Sequence, residues 1–286
     1  GERSNPMGVV SSIAGTLNFN LGAHFHIHGA VCGFVSACAS SSHALGYAMD
    51  EIHLGRLQRV IVVGAEEHNA ETLLPFSSMR ALATASDPAQ ASCPFDSART
   101  GFVGAGGATA IIVENAEHAT HRRARIYAEL AGWGQSSDGH SIAISHPEGA
   151  GLRLAMQRAL ADAGIRPEQI DYVNAHATST IIGDQAEALA LRAVFADTGA
   201  SPLISSTKGL TGHPLSAAGA MEAAFCALAI SDGFVPGNAH LRMPDPVCQG
   251  LQLPSVTLDT APAVALNNSS GFGGSNVCHV LRRFAP

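Results

Sequence analysis

The chain has 286 residues, of which 46% are hydrophobic and only 14% charged, with 30 glycines. That composition excludes a disordered or fibrous chain and points to a large buried core with many tight turns. A formal charge of −7 offers no basic face to nucleic acid, and no apolar run approaches the ~20 residues that span a bilayer.

In chain order, the start at Gly1-Glu2-Arg3 carries neither an initiating methionine nor an apolar signal segment. Short β-rich apolar runs then alternate with alanine-rich helical stretches, an α/β pattern. The first motif is Ser36-Ala37-Cys38-Ala39-Ser40-Ser41-Ser42-His43, where an apolar run passes into a predicted helix over 40–54. A cysteine so placed meets the unpaired N–H groups and positive dipole end of the helix, which favour thiolate. Small neighbours let a carbonyl approach it. A buried cysteine is nonetheless more often a small hydrophobe, so this motif alone decides nothing.

Strands are predicted over 59–64 and 108–113, separated by Pro94-Phe95-Asp96-Ser97-Ala98-Arg99-Thr100-Gly101-Phe102. A strand over 126–131 and a helix over 149–163 follow. The strand predicted over 170–175 ends in Asn174-Ala175-His176-Ala177-Thr178-Ser179-Thr180. Strand ends of α/β folds are where ligands bind, although a histidine in a turn is commonly just hydrogen-bonded there. A helix over 183–196 and a strand over 202–206 lead to Lys208-Gly209-Leu210-Thr211-Gly212-His213, then to a helix over 216–231. Small and apolar residues flank Lys208, so its charge is expected to be buried, with Glu222 the nearest acidic partner. The last strands, 263–267 and 277–282, bracket Asn267-Asn268-Ser269-Ser270-Gly271-Phe272-Gly273-Gly274. Its glycines read either as turn punctuation or as hinges for a mobile Phe272.

Near-continuous apolar strands of this kind suit a sheet covered on both faces. Glycine clusters at 101–107 and 271–274 each precede a strand, and each follows an alanine-rich helix and a strand, which hints at two similar halves. The expected division is 1–150, holding Cys38, and 151–286, holding His176, Lys208 and His213. The 6 cysteines form no C-x-x-C pair and the 14 histidines no H-x-x-x-H pair on a helical pattern. No metal site or disulfide framework is expected, and a reducing cytoplasm fits best.

Taken together and in this order, the motifs resemble the elongating β-ketoacyl-acyl carrier protein synthases, the type II ketosynthases of fatty acid and polyketide assembly, from about Val9 to Arg283. The resemblance implies a thiolase fold, two similar βα halves in α-β-α-β-α layers, with the opening part of the first half absent from this chain. It implies an acyltransferase that uses no cofactor of its own, because its substrates ride on the phosphopantetheine of acyl carrier protein. Cys38 resembles the nucleophile that receives the acyl chain. His176 and His213 resemble the pair that binds the malonyl thioester and promotes its decarboxylation. Lys208 resembles their electrostatic partner, with Glu222 beside it. The N–H groups of Cys38 and Phe272 resemble an oxyanion hole, and Phe272 a gate. Thr178 and Thr180 resemble the threonines that hold the pantetheine arm, and Arg80 an arginine at the carrier-protein entrance.

Implied partners are acyl carrier protein and a second ketosynthase-like subunit, in a homodimer or heterodimer. Two positions depart from the family. Ala177 stands where glycine is usual, an added methyl that would either strain a loop needing positive φ or narrow the pantetheine channel. Ser270 stands where an aromatic is usual, which bears on the acyl pocket. The alternatives are a non-condensing chain-length-factor-like subunit, which usually lacks the cysteine, a thiolase, and a cysteine hydrolase. The last would need a carboxylate or asparagine to orient its histidine.

Overall fold

The computed structural model describes residues 5–13 and 15–285. Residues 1–4, on which part of the signal-segment reading rests, lie outside them. Two compact units are present, 1–35 and 36–286. The first holds two short helices, α1 (Gly8–Ser12) and α2 (Thr16–His24), with Gly15 at φ 98° between them. There Asn18 Nδ2 donates to the Cys32 carbonyl at 2.7 Å.

The second unit opens with α3 (Ser40–His53), whose Leu45, Ala48 and Met49 are spaced to bury one face. β1 (Arg59–Glu66) follows, then α4 (Ala70–Ser78), capped by Asn69 through its bond from Thr72 N–H. Next come α5 (Pro88–Ala91), β2 (Gly107–Glu114), α6 (Ala116–His121) and β3 (Glu129–Ser137). α7 (Ala150–Ala163), β4 (Tyr172–Asn174), α8 (Ile181–Val194), β5 (Leu203–Ser205) and α9 (Lys208–Thr211) continue the alternation. α10 (Ala218–Asp232), β6 (Val264–Gly271) and β7 (Ser275–Arg282) complete it.

Among the described residues the strands form two sheets: an antiparallel β1–β2 pair and a sheet in the order β3-β7-β6-β4-β5. β4 runs parallel to both neighbours, whereas β6, β7 and β3 pair antiparallel. Helices α3 and α10 pack between the two sheets, and α7 and α8 cover the far face of the larger one. The described layers are thus β-α-β-α. The expected outer helical layer over β1–β2 is not among them, and Ile61 and Ile112 on that pair stay 43% and 58% exposed. The larger sheet meets the expectation of cover on both faces; the smaller one does not. β3 belongs to the larger sheet, so that sheet's residues begin before the division expected at 150.

Small residues make this close packing possible. A Cβ on Gly134 of β3 would stand 2.4 Å from the Ala155 carbonyl, so only glycine lets α7 lie this close. The core beneath α7 and α8 includes Phe95, Met156, Leu191, Phe195, Ile204 and Leu266, all fully buried, each side chain worth ~1.5–3 kcal/mol over exposure.

One sequence reading needs correction. Leu215–Asp232 is long and apolar enough to cross a membrane by length and composition, with mean hydropathy 1.3 over 18 residues. Here α10 is a packed element between sheets that carries the buried Glu222, as a core helix does.

Register places the site. Asn174 of β4 lies beside Ser205 of β5 and Asn267 of β6, so β4 and β5 end together while β6 runs on past them to Gly271. His176, Lys208 and the Gly271–Gly274 turn all leave the sheet at this one end, where α/β folds bind ligands.

Candidate active site

Cys38 sits in a tight turn just ahead of α3 and is half-buried. The end of β6 comes up against it. A Cβ on Gly271 would lie 2.7 Å from the Ser36 carbonyl and 3.0 Å from Cys38 N, so this glycine is needed for contact rather than flexibility. Across the site His213 Nε2 stands 3.1 Å from Cys38 Sγ. The backbone of His213 is fixed by the segment after Phe102: its N–H donates to the Val103 carbonyl at 2.7 Å and its carbonyl accepts from Ala105 N–H at 3.1 Å. The His176 and His213 rings meet edge to face, centroids 5.3 Å apart. One sulfur and two imidazoles, from three distant segments, therefore share one place.

The loop after β4 is held by a group the sequence reading missed. Glu187 of α8 is buried and accepts from His176 N–H at 2.9 Å, Ala177 N–H at 2.6 Å and Asn268 Nδ2 at 3.0 Å. Ala177 is buried but is not the residue at positive φ; Ser179 is, at 74°. The expected strain at Ala177 is thus absent, and its methyl is absorbed by the core under α7 and α8. Ser179 is gripped by Asp184, which accepts its N–H at 3.0 Å, and by Cys93 N–H, which donates to its hydroxyl at 3.0 Å. Thr178 and Thr180 end up with hydroxyls 3.1 Å apart. Arg99 steadies the same turn through the Thr180 and Ile181 carbonyls, at 3.1 and 2.8 Å.

Lys208 is wholly buried and paired with Glu222, as expected. Burial pushes the Glu222 carboxyl up, and the ammonium of Lys208 opposes that. Both imidazoles are held well below their usual value by burial first and by Lys208 second; for His176 the neighbouring His213 adds to this. They are neutral at physiological pH. Burial likewise pushes the Cys38 thiol up to about 12, against the attraction of Lys208 and with Glu66 reinforcing the rise. The expectation that the helix end favours a thiolate is overturned, because desolvation outweighs the dipole. The resting pair is neutral thiol and neutral imidazole.

Phe272 is 40% exposed. Its ring lies 5.7 Å from Phe76, which lies 5.2 Å from Phe102, itself 5.5 Å from His213, an aromatic wall from the surface to the site. Phe76 stands on α4, which the sequence reading did not foresee. Ser270 turns its hydroxyl to Asn276 Oδ1 at 2.8 Å, and Asn276 Nδ2 reaches Asp138 at 2.8 Å. Arg80 is exposed in the turn after α4, at φ 55°, with no contact to these groups among the described residues. No cluster able to hold a metal ion occurs among the described residues.

The chain is similar to known proteins in sequence and in fold. Residues 2–119 match the family described as beta-ketoacyl synthase, N-terminal domain, and residues 127–242 its C-terminal domain. A mitochondrial 3-oxoacyl-[acyl-carrier-protein] synthase of Arabidopsis thaliana is 43% identical over 277 residues, covering 95% of this chain and 59% of the relative. The 3-oxoacyl-[acyl-carrier-protein] synthase 1 of Escherichia coli is 39% identical, covering 97% and 67%. The chain thus spans roughly three fifths to two thirds of the length of these relatives. Among solved structures, a beta-ketoacyl synthase from Burkholderia phymatum superposes with a TM-score of 0.90 at 34% identity, covering 95% of this chain and 66% of that one. A type II PKS acyl-carrier protein in complex with its ketosynthase gives 0.94 at 29% identity, covering 98% and 70%. With likeness running through both halves and nearly the whole chain, this protein belongs to the beta-ketoacyl synthase family, built on the thiolase-like fold.

Proposed function

We propose that the chain catalyses decarboxylative Claisen condensation, extending a fatty acid, polyketide or polyene carried on acyl carrier protein. The observation that carries this reading is Cys38 Sγ at 3.1 Å from His213 Nε2, with the His176 ring packed edge to face on His213. Cys38 attacks the acyl thioester as its proton passes to His213 Nε2, and the carrier thiol leaves with that proton. The acyl group now rests on Cys38. Malonyl-carrier protein then enters, and neutral His176 and His213 donate N–H bonds to its thioester oxygen. Loss of CO₂ leaves an enolate whose charge those donors stabilise. Its carbon attacks the acyl-Cys38 carbonyl, with the N–H groups of Cys38 and Phe272 as the oxyanion site. Cys38 departs as thiolate and takes a proton from solvent, releasing a 3-oxoacyl chain two carbons longer.

In this reading Thr178 and Thr180 hold the pantetheine amides, Phe272 gates the channel, and Arg80 meets the carrier protein. The second subunit is a copy of this chain or a chain-length-factor-like partner, since solved relatives include ketosynthase/chain length factor pairs. We place the division between halves ahead of β3 rather than at 150. Free thiols at all six cysteines suit a reducing compartment, for which we propose the cytoplasm. The second imidazole, His176 packed on His213, together with the buried Lys208, favours this chemistry over a thiolase.

The test is incubation with acyl- and malonyl-carrier protein followed by intact-mass analysis. An acyl adduct on Cys38 and a product two carbons longer are expected. Cys38→Ala abolishes both, and His213→Ala loses decarboxylation more than acyl transfer. Product formation unchanged in Cys38→Ala sinks the assignment.

A further inference from the structure

The turn carrying Cys38 is held in a costly conformation by groups without a role in the chemistry above. Ala37, directly before the nucleophile, has φ 50°, a left-handed setting that a residue with a Cβ avoids. Such a turn persists only where its surroundings over-determine it. Ser36 uses every polar group it has to do so. Its N–H donates to Ser40 Oγ at 2.9 Å, its carbonyl accepts from Ala39 N–H at 3.1 Å, and its hydroxyl lies 2.8 Å from His43 Nδ1. Ser40 Oγ in turn donates to the Ala37 carbonyl at 2.7 Å.

His43 is anchored from outside its own helix. Its Nε2 is 3.1 Å from Gln135 Oε1 on β3, and its ring meets Trp133 of the same strand edge to face at 6.4 Å. Trp133 is itself pinned, its indole N–H donating to Asp50 Oδ1 at 3.0 Å. His43 Nδ1 also lies 3.2 Å from the Ala39 carbonyl; with the Ser36 hydroxyl donating to Nδ1 and Nε2–H donating to Gln135, the line from Ser36 to the sheet is satisfied. The strained turn is thereby tied, through an imidazole, to the rigid five-stranded sheet.

We propose that Ser36 and His43 are positioning residues for the nucleophile, the Ser36–His43–Gln135 line holding the left-handed Ala37 so that Cys38 Sγ faces His213 Nε2. Neither touches a reacting atom. Cutting the line lets Ala37 relax toward ordinary φ and swings the sulfur off its partner. The inference rests on Cys38 as the nucleophile of the proposed function, but its readout needs no carrier substrate.

The probe is iodoacetamide, which forms a C–S bond at Cys38 with loss of iodide, the thiol proton passing to His213 or solvent. Peptide mass mapping counts Cys38 separately from the exposed Cys32. In His43→Ala and Ser36→Ala, Cys38 alkylation slows about tenfold or more, since misplacement by ~1 Å costs up to about a hundredfold. His43→Asn, whose amide reaches the place of Nδ1 and so keeps the bond to Ser36 but gives up the anchor at Gln135, recovers the rate only in part. Decarboxylation of malonyl-carrier protein stays within about twofold of the parent in all three, because the imidazole pair is untouched. Unchanged alkylation in both alanine variants overturns the proposal. So does a loss that asparagine does not lessen, or a parallel fall in decarboxylation. Absence of decarboxylation in the parent protein would instead strike the proposed function, leaving the alkylation comparison to judge the turn.

Discussion

Replacing Lys208 by methionine probes the electrostatics of the site at their source. The lysine side chain is wholly buried and that of Glu222 is 1% exposed. Methionine keeps the apolar stem and deletes the ammonium, stranding a carboxylate whose Oε2 already lacks a hydrogen-bond partner. Removing one member of a buried pair costs roughly 3–5 kcal/mol, a large share of the ~5–15 kcal/mol that holds a protein folded. The carboxylate can escape part of that cost by taking a proton. Burial already pushes Glu222 above its ordinary 4.5, and losing the ammonium pushes it further. An acid whose folded pKa is raised is penalised only when ionised. The penalty is therefore absent below the ordinary value, grows as pH rises through the gap, and is full above the raised value. Lys208→Met should lie closest to the parent near about pH 5 and lose most near about pH 8. The double variant Lys208→Met/Glu222→Leu should return to within about 1 kcal/mol of the parent at both pH values. Urea unfolding followed by circular dichroism reads all of this. A single variant as stable as the parent near pH 8, or a double no better than the single, refutes the reasoning.

Two further outcomes follow from the same geometry. With the Cys38 thiol pushed up to about 12, its alkylation rate should climb about tenfold per pH unit between about 7 and 10 without levelling. A plateau near the ordinary thiol value of 9.0 would show that burial does not govern this sulfur. Glu187→Ala strips the acceptor from His176 N–H, Ala177 N–H and the Asn268 amide, each orphaned donor costing about 1–3 kcal/mol. Thermal midpoint and malonyl decarboxylation should both fall in the order Glu, Gln, Ala; glutamine below alanine would contradict the assigned role.

What the sequence showed and hid follows physical lines. Strands β1, β2 and β7 were legible because their apolar runs end in glycine or charge, and β6 because its run stops at a pair of asparagines. Helices α3, α7, α8 and α10 were legible from alanine-rich stretches that bury one face. β3 was misplaced toward its N-terminal side because its interior, Ala131-Gly132-Trp133-Gly134, uses glycine to admit α7 and so lacks a strand-like run. α4 was invisible because Pro75 sits inside it and its cap is a single asparagine. That loss hid Phe76, and with it the aromatic wall. Glu187 and Asp184 could have been noticed as two carboxylates three apart on the alanine-rich face of α8, a face with no reason to carry charge unless it meets buried donors. The protonation state of Cys38 was not legible at all. Local sequence showed a helix end, whereas the desolvation that decides the matter comes from segments far away along the chain.

In the proposed reaction one imidazole acts first as acceptor and later as donor, and the first of these needs a neutral ring. Burial alone would keep His213 uncharged, but it also raises the cost of moving the Cys38 proton onto it. Lys208 acts on both groups, its charge disfavouring an imidazolium and favouring a thiolate. An ammonium in so dry a place is tolerated because Glu222 balances it within the same pocket. The reacting groups thus stay neutral while the charge that tunes them is confined to a buried pair. On that reading, a neutral thiol beside a neutral imidazole is the poised state of this site rather than an inactive one.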